Sequence, residues 1–180
     1  MALTNKAKAG GALMFASAGL IAFLGTWEGN SEYRVYADKL AGGLPTVCRG
    51  LTKHVTKTPI VVGEVWAKDK CDAEEKKAIT AMQSKLYECF DIGPPQRVFD
   101  AASSHAWNNG LSATCGSMAM QSWRSGDWAT GCRRIYQSDT GKPVWSYVRT
   151  GKIIDGKPEM KFVRGLANRR EAEYKLCMGL

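Results

Sequence analysis

Residues 9–27, AGGALMFASAGLIAFLGTW, run for nineteen positions without a charge, and the chain after them changes its hydrophobic pattern several times. Glu32 to Tyr36 alternates polar and apolar, Gly42, Gly43 and Pro45 punctuate, and TVCRGLT and PIVVG add short β-branched runs. This pattern predicts a small antiparallel sheet. From Lys68 the period lengthens: Cys71, Ala78, Ile79, Met82, Leu86 and Cys89 recur at helical spacing with charges between them, which predicts one long amphipathic helix ending before DIGPP. Pro94-Pro95 opens a second helix with Val98, Phe99, Ala102 and Ala106 on its apolar face and Gly110 as a left-handed stop. Further helices are expected from Gly116 to Ser125 and, capped by Asp127, to about Gln137. The stretch DTGKPVWSYVRTGKIIDGKPE is rich in turn residues and reads as an irregular excursion before a last helix, GLANRREAEYKLCM, where Arg169 precedes Glu173 by four. The expected fold class is α+β, with a small antiparallel sheet lobe joined by a long helix to a larger helical lobe.

The charge-free segment follows Lys6 and Lys8, the order of a signal peptide or of a membrane anchor with its N-terminus inside. As a helix it would span about 28 Å, close to the hydrocarbon thickness, which favours the anchor. Its six strongly apolar residues supply only roughly 2 to 3.5 kcal/mol of insertion energy, and four glycines and five alanines add little. An anchor this weak can leave the bilayer. Ala16-Ser17-Ala18 resembles a cleavage site, but cutting there would expose LIAFLG at a new terminus, so an uncleaved anchor is the better reading. A buried core helix after release is a third.

Composition narrows the setting. A chain of 180 residues, 44% hydrophobic and 23% charged, has the length of one domain with one sizeable core. Its six cysteines, Cys48, Cys71, Cys89, Cys115, Cys132 and Cys177, are widely spaced and contain no C-x-x-C pair, which points to three disulfides in an oxidising compartment rather than to a metal site. The net charge is +8, or +6 once Lys6 and Lys8 are set aside. A basic exported domain suits an anionic cell-wall polymer or membrane surface. No basic-aromatic motif argues for nucleic acid.

Two carboxylates close to a sheet are candidates for glycosidic chemistry. One must be held protonated in an apolar setting to donate to the leaving oxygen, and the other must stay ionised to activate water or stabilise positive charge. Glu28, beside Trp27 and behind the apolar segment, suits the acid, and Asp38, in the polar Gly-rich region, suits the ionised partner. Acidic pairs ten apart are common on solvated surfaces, so spacing alone does not decide it. His54 and His105 lie in no nucleophile motif, and His105, in SSHAWNNG, reads as a packed, hydrogen-bonded residue. Trp107, Trp123, Trp128 and Tyr136 read mainly as core, with one lining a cleft. Arg169 and Arg170 read as a solvated helix face paired with Glu173, ahead of a role in binding wall polymer.

WEG, YAD and PTVCRGLT, then KC at the start of the long helix, SHAWNNG, SGDWATGCRRI and GLANRREAEYKLC together resemble the phage-type lysozymes of glycoside hydrolase family 24, over nearly the whole chain. The charge-free N-terminus resembles that of the signal-anchor-release endolysins within that group. The resemblance implies a signal-anchor-release segment at 1–27 and a lysozyme-like catalytic domain at 28–180. It implies hydrolysis of the β-1,4 bond between N-acetylmuramic acid and N-acetylglucosamine in peptidoglycan, with inversion, for host-cell lysis. Glu28 matches the general acid, Asp38 the acidic residue across the cleft, and Thr46 the threonine that helps place the attacking water. No metal or organic cofactor is implied, and the enzyme is expected to act as a monomer. It is expected at the host inner membrane facing the periplasm, then free in the periplasm.

The family frame is usually E-x8-D-x5-T, whereas this chain has E-x9-D-x7-T, and Leu51 stands where a histidine often follows the glycine. Insertions at turns are thermodynamically cheap. Tethering would keep Glu28 silent, because one residue separates it from Thr26 and the hydrocarbon edge. Ala9–Trp27 contains no cysteine, so activation is expected without thiol exchange. Fifteen disulfide pairings are possible, and the helix and hairpin placements suggest Cys48 with Cys71, Cys89 with Cys115, and Cys132 with Cys177. The alternatives to an enzyme are a non-catalytic peptidoglycan-binding protein and a membrane-anchored envelope protein.

Overall fold

The computed structural model describes residues 12–27, 32–38 and 42–180. They fall into two compact units, one of Phe15–Ser84 and one of Lys85–Leu180 with the chain before Phe15.

In the first unit the apolar segment becomes a short helix, α1 (Ala18–Trp27), rather than a continuous helix from residue 9. Two features start it at Ala18. Ala16 takes a left-handed φ of 46°, which breaks any helix arriving from upstream. Ser17 then accepts the Leu20 amide on Oγ at 3.0 Å, an N-cap. The costly Ala16 conformation is held by its N–H, which donates to Gln83 Oε1 at 2.6 Å. Leu20 and Leu24, one turn apart, form the buried face of α1. Among the described residues no helix is long and apolar enough to cross a membrane.

Strands β1 (Glu32–Asp38) and β2 (Leu44–Cys48) pair antiparallel, with a bulge between Glu32 and Tyr36. PIVVG does not form a strand, and Val61 and Val62 are 61% and 54% exposed. The contact to β1 begins only at its last residue: Gly63 N–H donates to Val35 O at 2.9 Å, Val35 N–H to Glu64 O at 2.8 Å and Trp66 N–H to Tyr33 O at 2.8 Å. The pairing favours these residues because Trp66 is buried there, whereas the valines before it have nothing to cover. Helix α2 (Lys68–Glu88) follows as expected and carries its last turn into the second unit.

The second unit is mainly helical. Helix α3 (Gln96–Asn109) buries a nearly continuous run from Val98 to Ala106. Gly110 ends it with a positive φ of 90° but an extended ψ of 147°, so the chain turns without the left-handed cap expected. The helix expected from Gly116 to Ser125 is α5 (Met118–Arg124), started by Ser117, whose side chain accepts the Met120 amide at 3.1 Å, and a further short helix, α4 (Leu111–Cys115), precedes it where none was expected. Helix α6 (Trp128–Arg134), capped by Asp127, stops three residues short of Gln137. The aromatic core stacks Phe90 on Trp123 at 5.9 Å between ring centroids, with Phe99 edge-on to Phe90 at 6.3 Å.

The expected irregular excursion holds a hairpin, β3 (Tyr147–Ile154) and β4 (Lys157–Phe162), paired antiparallel. Asp155 and Gly156, with φ of 49° and 72°, make its turn. Asp-Gly is the sequence signal of a two-residue hairpin loop, and the surrounding glycines and lysines masked it. The chain ends in helix α7 (Arg164–Met178). Three disulfides pair Cys48 with Cys71, Cys89 with Cys115, and Cys132 with Cys177.

Candidate active site

Of the three residues expected to do chemistry, Asp38 and Thr46 lie on the β1–β2 pair, and Glu28 lies outside the described residues. The register joins Tyr36 to Thr46, Ala37 to Pro45 and Asp38 to Leu44. Asp38 and Thr46 are therefore diagonal cross-strand neighbours on one face, with Ala37 and Pro45 on the other. Asp38 ends β1 half-buried, and its carbonyl accepts the Gly43 amide at 2.7 Å. Gly42 and Gly43 take φ of 67° and 84°, where other residues would be strained.

Thr46 is buried, and its hydroxyl donates to Leu44 O at 3.0 Å. With its proton committed, the oxygen keeps its lone pairs as acceptors. That is the polarity needed to hold a water by one of its protons.

Two features fix β2, one expected from the sequence and one not. Cys48 turns with φ of 58°, and the expected disulfide ties the strand end to Cys71 on α2. Arg49, the next residue, gives Glu75 its backbone N–H at 2.9 Å to Oε1 and its Nε–H at 2.9 Å to Oε2. The Glu75 carboxylate also raises the Arg49 guanidinium above its usual range, first by the hydrogen bond and then by charge, against burial. Two independent anchors therefore hold the strand that carries Thr46. The signal available in the sequence was the charged residue directly after a cysteine, facing acidic positions on the long helix. A groove of about 660 Å³ runs beside this clamp, lined by Ile21, Ala22 and Gly25 of α1 and by Arg49, Asp72 and Glu75.

In the second unit, Arg169, Arg170 and Glu173 are buried rather than solvated. Glu173 Oε1 accepts from Ser104 Oγ at 2.7 Å, Arg170 at 3.0 Å and Arg169 at 3.4 Å, and Arg170 also donates to Asn108 Oδ1 at 2.8 Å. Burial pushes the Glu173 carboxyl up, and the arginines and Ser104 pull against it. The cluster reads as a structural lock between α3 and α7. The i,i+4 spacing revealed the ion pair but not its depth, because the covering residues come from α3.

His105 is buried and packs its ring against Trp145 edge-on at 4.7 Å. Thr114 Oγ1 donates to Gly110 O at 3.0 Å, so at 2.8 Å it accepts from His105 Nδ1–H. Burial, then Arg170 and Arg169, push the imidazole well below its usual range, which keeps it a neutral core residue. Trp123 is fully buried and Tyr136 stacks on Tyr174 at 5.6 Å, while Trp128 is half-buried and lines a pocket of about 350 Å³ with Arg97 and Asp127.

A family model, phage lysozyme, matches residues 25–173, which span Glu28, Asp38, Thr46 and the α3–α7 lock. The chain belongs to the phage lysozyme family. It is a lysozyme-family hydrolase, and the family acts on peptidoglycan. A SAR-endolysin of Pseudomonas phage phiKMV is 27% identical over 97% of this chain and 92% of its own. The fold is shared with the endolysin of Escherichia coli O157:H7 phage FAHEc1, at a TM-score of 0.70 and 20% identity over 93% of this chain and 95% of that one. It is shared also with the muramidase domain of SpmX from Asticaccaulis excentricus, at 0.72 and 17% identity over 93% and 99%. The α+β, lysozyme-like architecture expected from the sequence is the one found.

Proposed function

We propose that this phage lysozyme is an N-acetylmuramidase, an endolysin that cuts the β-1,4 bond between N-acetylmuramic acid and N-acetylglucosamine with inversion. Glu28 protonates the leaving oxygen, Asp38 stays ionised opposite it, and Thr46 orients the attacking water. The supporting observation is the β1–β2 register, in which Asp38 and Thr46 share one face in spite of the longer E-x9-D-x7-T frame. Thr46 donates its own proton to Leu44 O, which suits that side chain to accept from water. In an inverting reaction the water attacks the anomeric carbon from the face opposite the protonated oxygen, so one carboxyl and one water-holding group must lie apart.

Residues 1–27 act as the tether and 28–180 as the catalytic domain. While 9–27 crosses the host inner membrane, Glu28 is held at the bilayer edge. After release into the periplasm, the segment adopts the packed form, with α1 buried through Leu20 and Leu24 and Ala16 bound to Gln83. The segment has no cysteine, and all six cysteines lie elsewhere in disulfides, so this refolding needs no thiol exchange. The likeness to a SAR-endolysin supports this reading.

Mass spectrometry of muropeptides released from purified sacculi tests the bond specificity, and proton NMR of the first-formed anomer tests the stereochemistry. New reducing ends on N-acetylmuramic acid in the α configuration are expected. Ends on N-acetylglucosamine, or a β anomer formed first, would refute the assignment.

A further inference from the structure

The β3–β4 hairpin has no use in the chemistry above, and its surface is unlike that of an ordinary edge. Every residue of β3 is exposed, as is every residue of β4 except Glu159. The register pairs Tyr147 with Phe162, Arg149 with Met160, and Ile153 with Pro158. These pairs, which lie on either side of a register shift between Arg149 and Ile153, are apolar but for Arg149. At the tip, beside the Asp155-Gly156 turn, Ile153 is 66% exposed and Ile154 52%, and Met160 is 50% exposed further back. A two-stranded hairpin with neither face packed is marginal in water. Its base is tied down, since Val163 N–H donates to the carbonyl of the fully buried Ser146 at 2.8 Å, but among the described residues nothing covers the rest.

We infer that this hairpin is a membrane-docking element that inserts Ile153 and Ile154 among the headgroups of a phospholipid bilayer bearing anionic lipids. Charge selects the anionic surface: Arg149, Lys152, Lys157 and Lys161 stand against Asp155 and Glu159 alone, on a chain of net charge +8. Lys152 and Lys157 flank the aliphatic tip, so the cations lie at headgroup level when the isoleucines enter the acyl boundary. An aliphatic tip matches lipid chains better than a glycan, which stacks on aromatic rings and hydrogen-bonds. A second copy of the same chain would bring lysine against lysine. The consequence is a released enzyme that stays at a membrane face, by contacts independent of its N-terminal segment.

The test uses the full, oxidised chain with vesicles of phosphatidylethanolamine and phosphatidylglycerol, and with vesicles of phosphatidylcholine. Because residues 12–27 are shared by every variant, the hairpin's share is read from differences. Ile153→Ser with Ile154→Ser should lower partitioning onto the anionic vesicles by roughly tenfold. Lys152→Gln with Lys157→Gln should weaken it and flatten its salt dependence. In the unmodified protein, hydrogen exchange should slow within residues 147–162 on adding anionic vesicles. Unchanged partitioning of the isoleucine variant, equal binding to phosphatidylcholine, or protection confined to residues 12–27 would overturn the inference. Loss of sacculus binding with vesicle binding intact would overturn it in favour of a glycan.

Discussion

Replacing Gly131 by alanine sets two effects of opposite sign against each other, and the structure decides between them. Gly131 sits inside α6, where alanine is favoured over glycine by about 1 kcal/mol. A Cβ there, however, would lie 2.2 Å from Cδ1 and Nε1 of Trp123 and 2.8 Å from its Cγ. Ordinary contact requires the indole to retreat by more than about 1 Å. It cannot do so freely, because Trp123 is fully buried and stacked on Phe90, which in turn packs against Phe99. Overpacking of this kind costs about 1 to 3 kcal/mol and more where the neighbour is rigid. The fixed ring puts the cost at the upper end of that range, so after the helix gain of about 1 kcal/mol the net expectation is a loss of about 2 kcal/mol, which lowers Tm by roughly 4 to 8 °C in a chain of this length. Gly165 is the matched control: it lies in α7 with nothing within 4 Å of the added carbon, so Gly165→Ala should raise stability by about 0.5 to 1 kcal/mol. Thermal and urea unfolding followed by circular dichroism would measure both. A Gly131→Ala protein as stable as the parent would refute the packing argument.

Other expectations follow from the charged interior and the cross-links. Glu173→Leu should destabilise by about 3 to 5 kcal/mol in urea unfolding, since it strands Arg169 and Arg170 in the buried lock. Glu74, bound by Lys77 at 2.7 Å and Thr56 at 2.6 Å, has its carboxyl lowered to about 2. Its folded pKa is below the unfolded one, so its contribution is present above about pH 4.5 and is lost as pH falls toward 2. Because Lys77 is exposed, that contribution is about 1 kcal/mol, and Glu74→Gln should erode the parent's advantage only above that window in a pH series of melting curves. Reducing the three disulfides should lower stability by about 2 to 4 kcal/mol for each bond, without switching on activity in a sacculus-clearing assay.

The long helices were legible because their apolar positions repeat over several turns, and the Asp127 cap marked the start of α6, whereas the Ser117 cap that starts α5 was not read. The cysteine pairs fall as the helix and hairpin placements suggest, because each pair joins elements whose existence the pattern made plain. The β3–β4 hairpin was hidden for the opposite reason: it has no buried face, so its sequence shows no clean alternation, and only Asp155-Gly156 marks it. Depth was equally invisible. Arg169 and Arg170 look like surface residues in sequence and are buried because α3 covers them, a long-range fact that no local spacing carries. At the candidate site, Asp38 and Thr46 could be named from the motif, but the Arg49–Glu75 clamp that steadies their sheet depends on contacts 26 residues apart.

The most direct test of the central claim is the rate of muropeptide release from purified sacculi by the unmodified protein and by Glu28→Gln, each checked for intact disulfides and an unchanged melting temperature. The account predicts release by the parent and a loss of at least about a thousandfold in the variant, the order expected when a positioned general acid is removed. A folded Glu28→Gln protein that releases muropeptides at the parent's rate would contradict it.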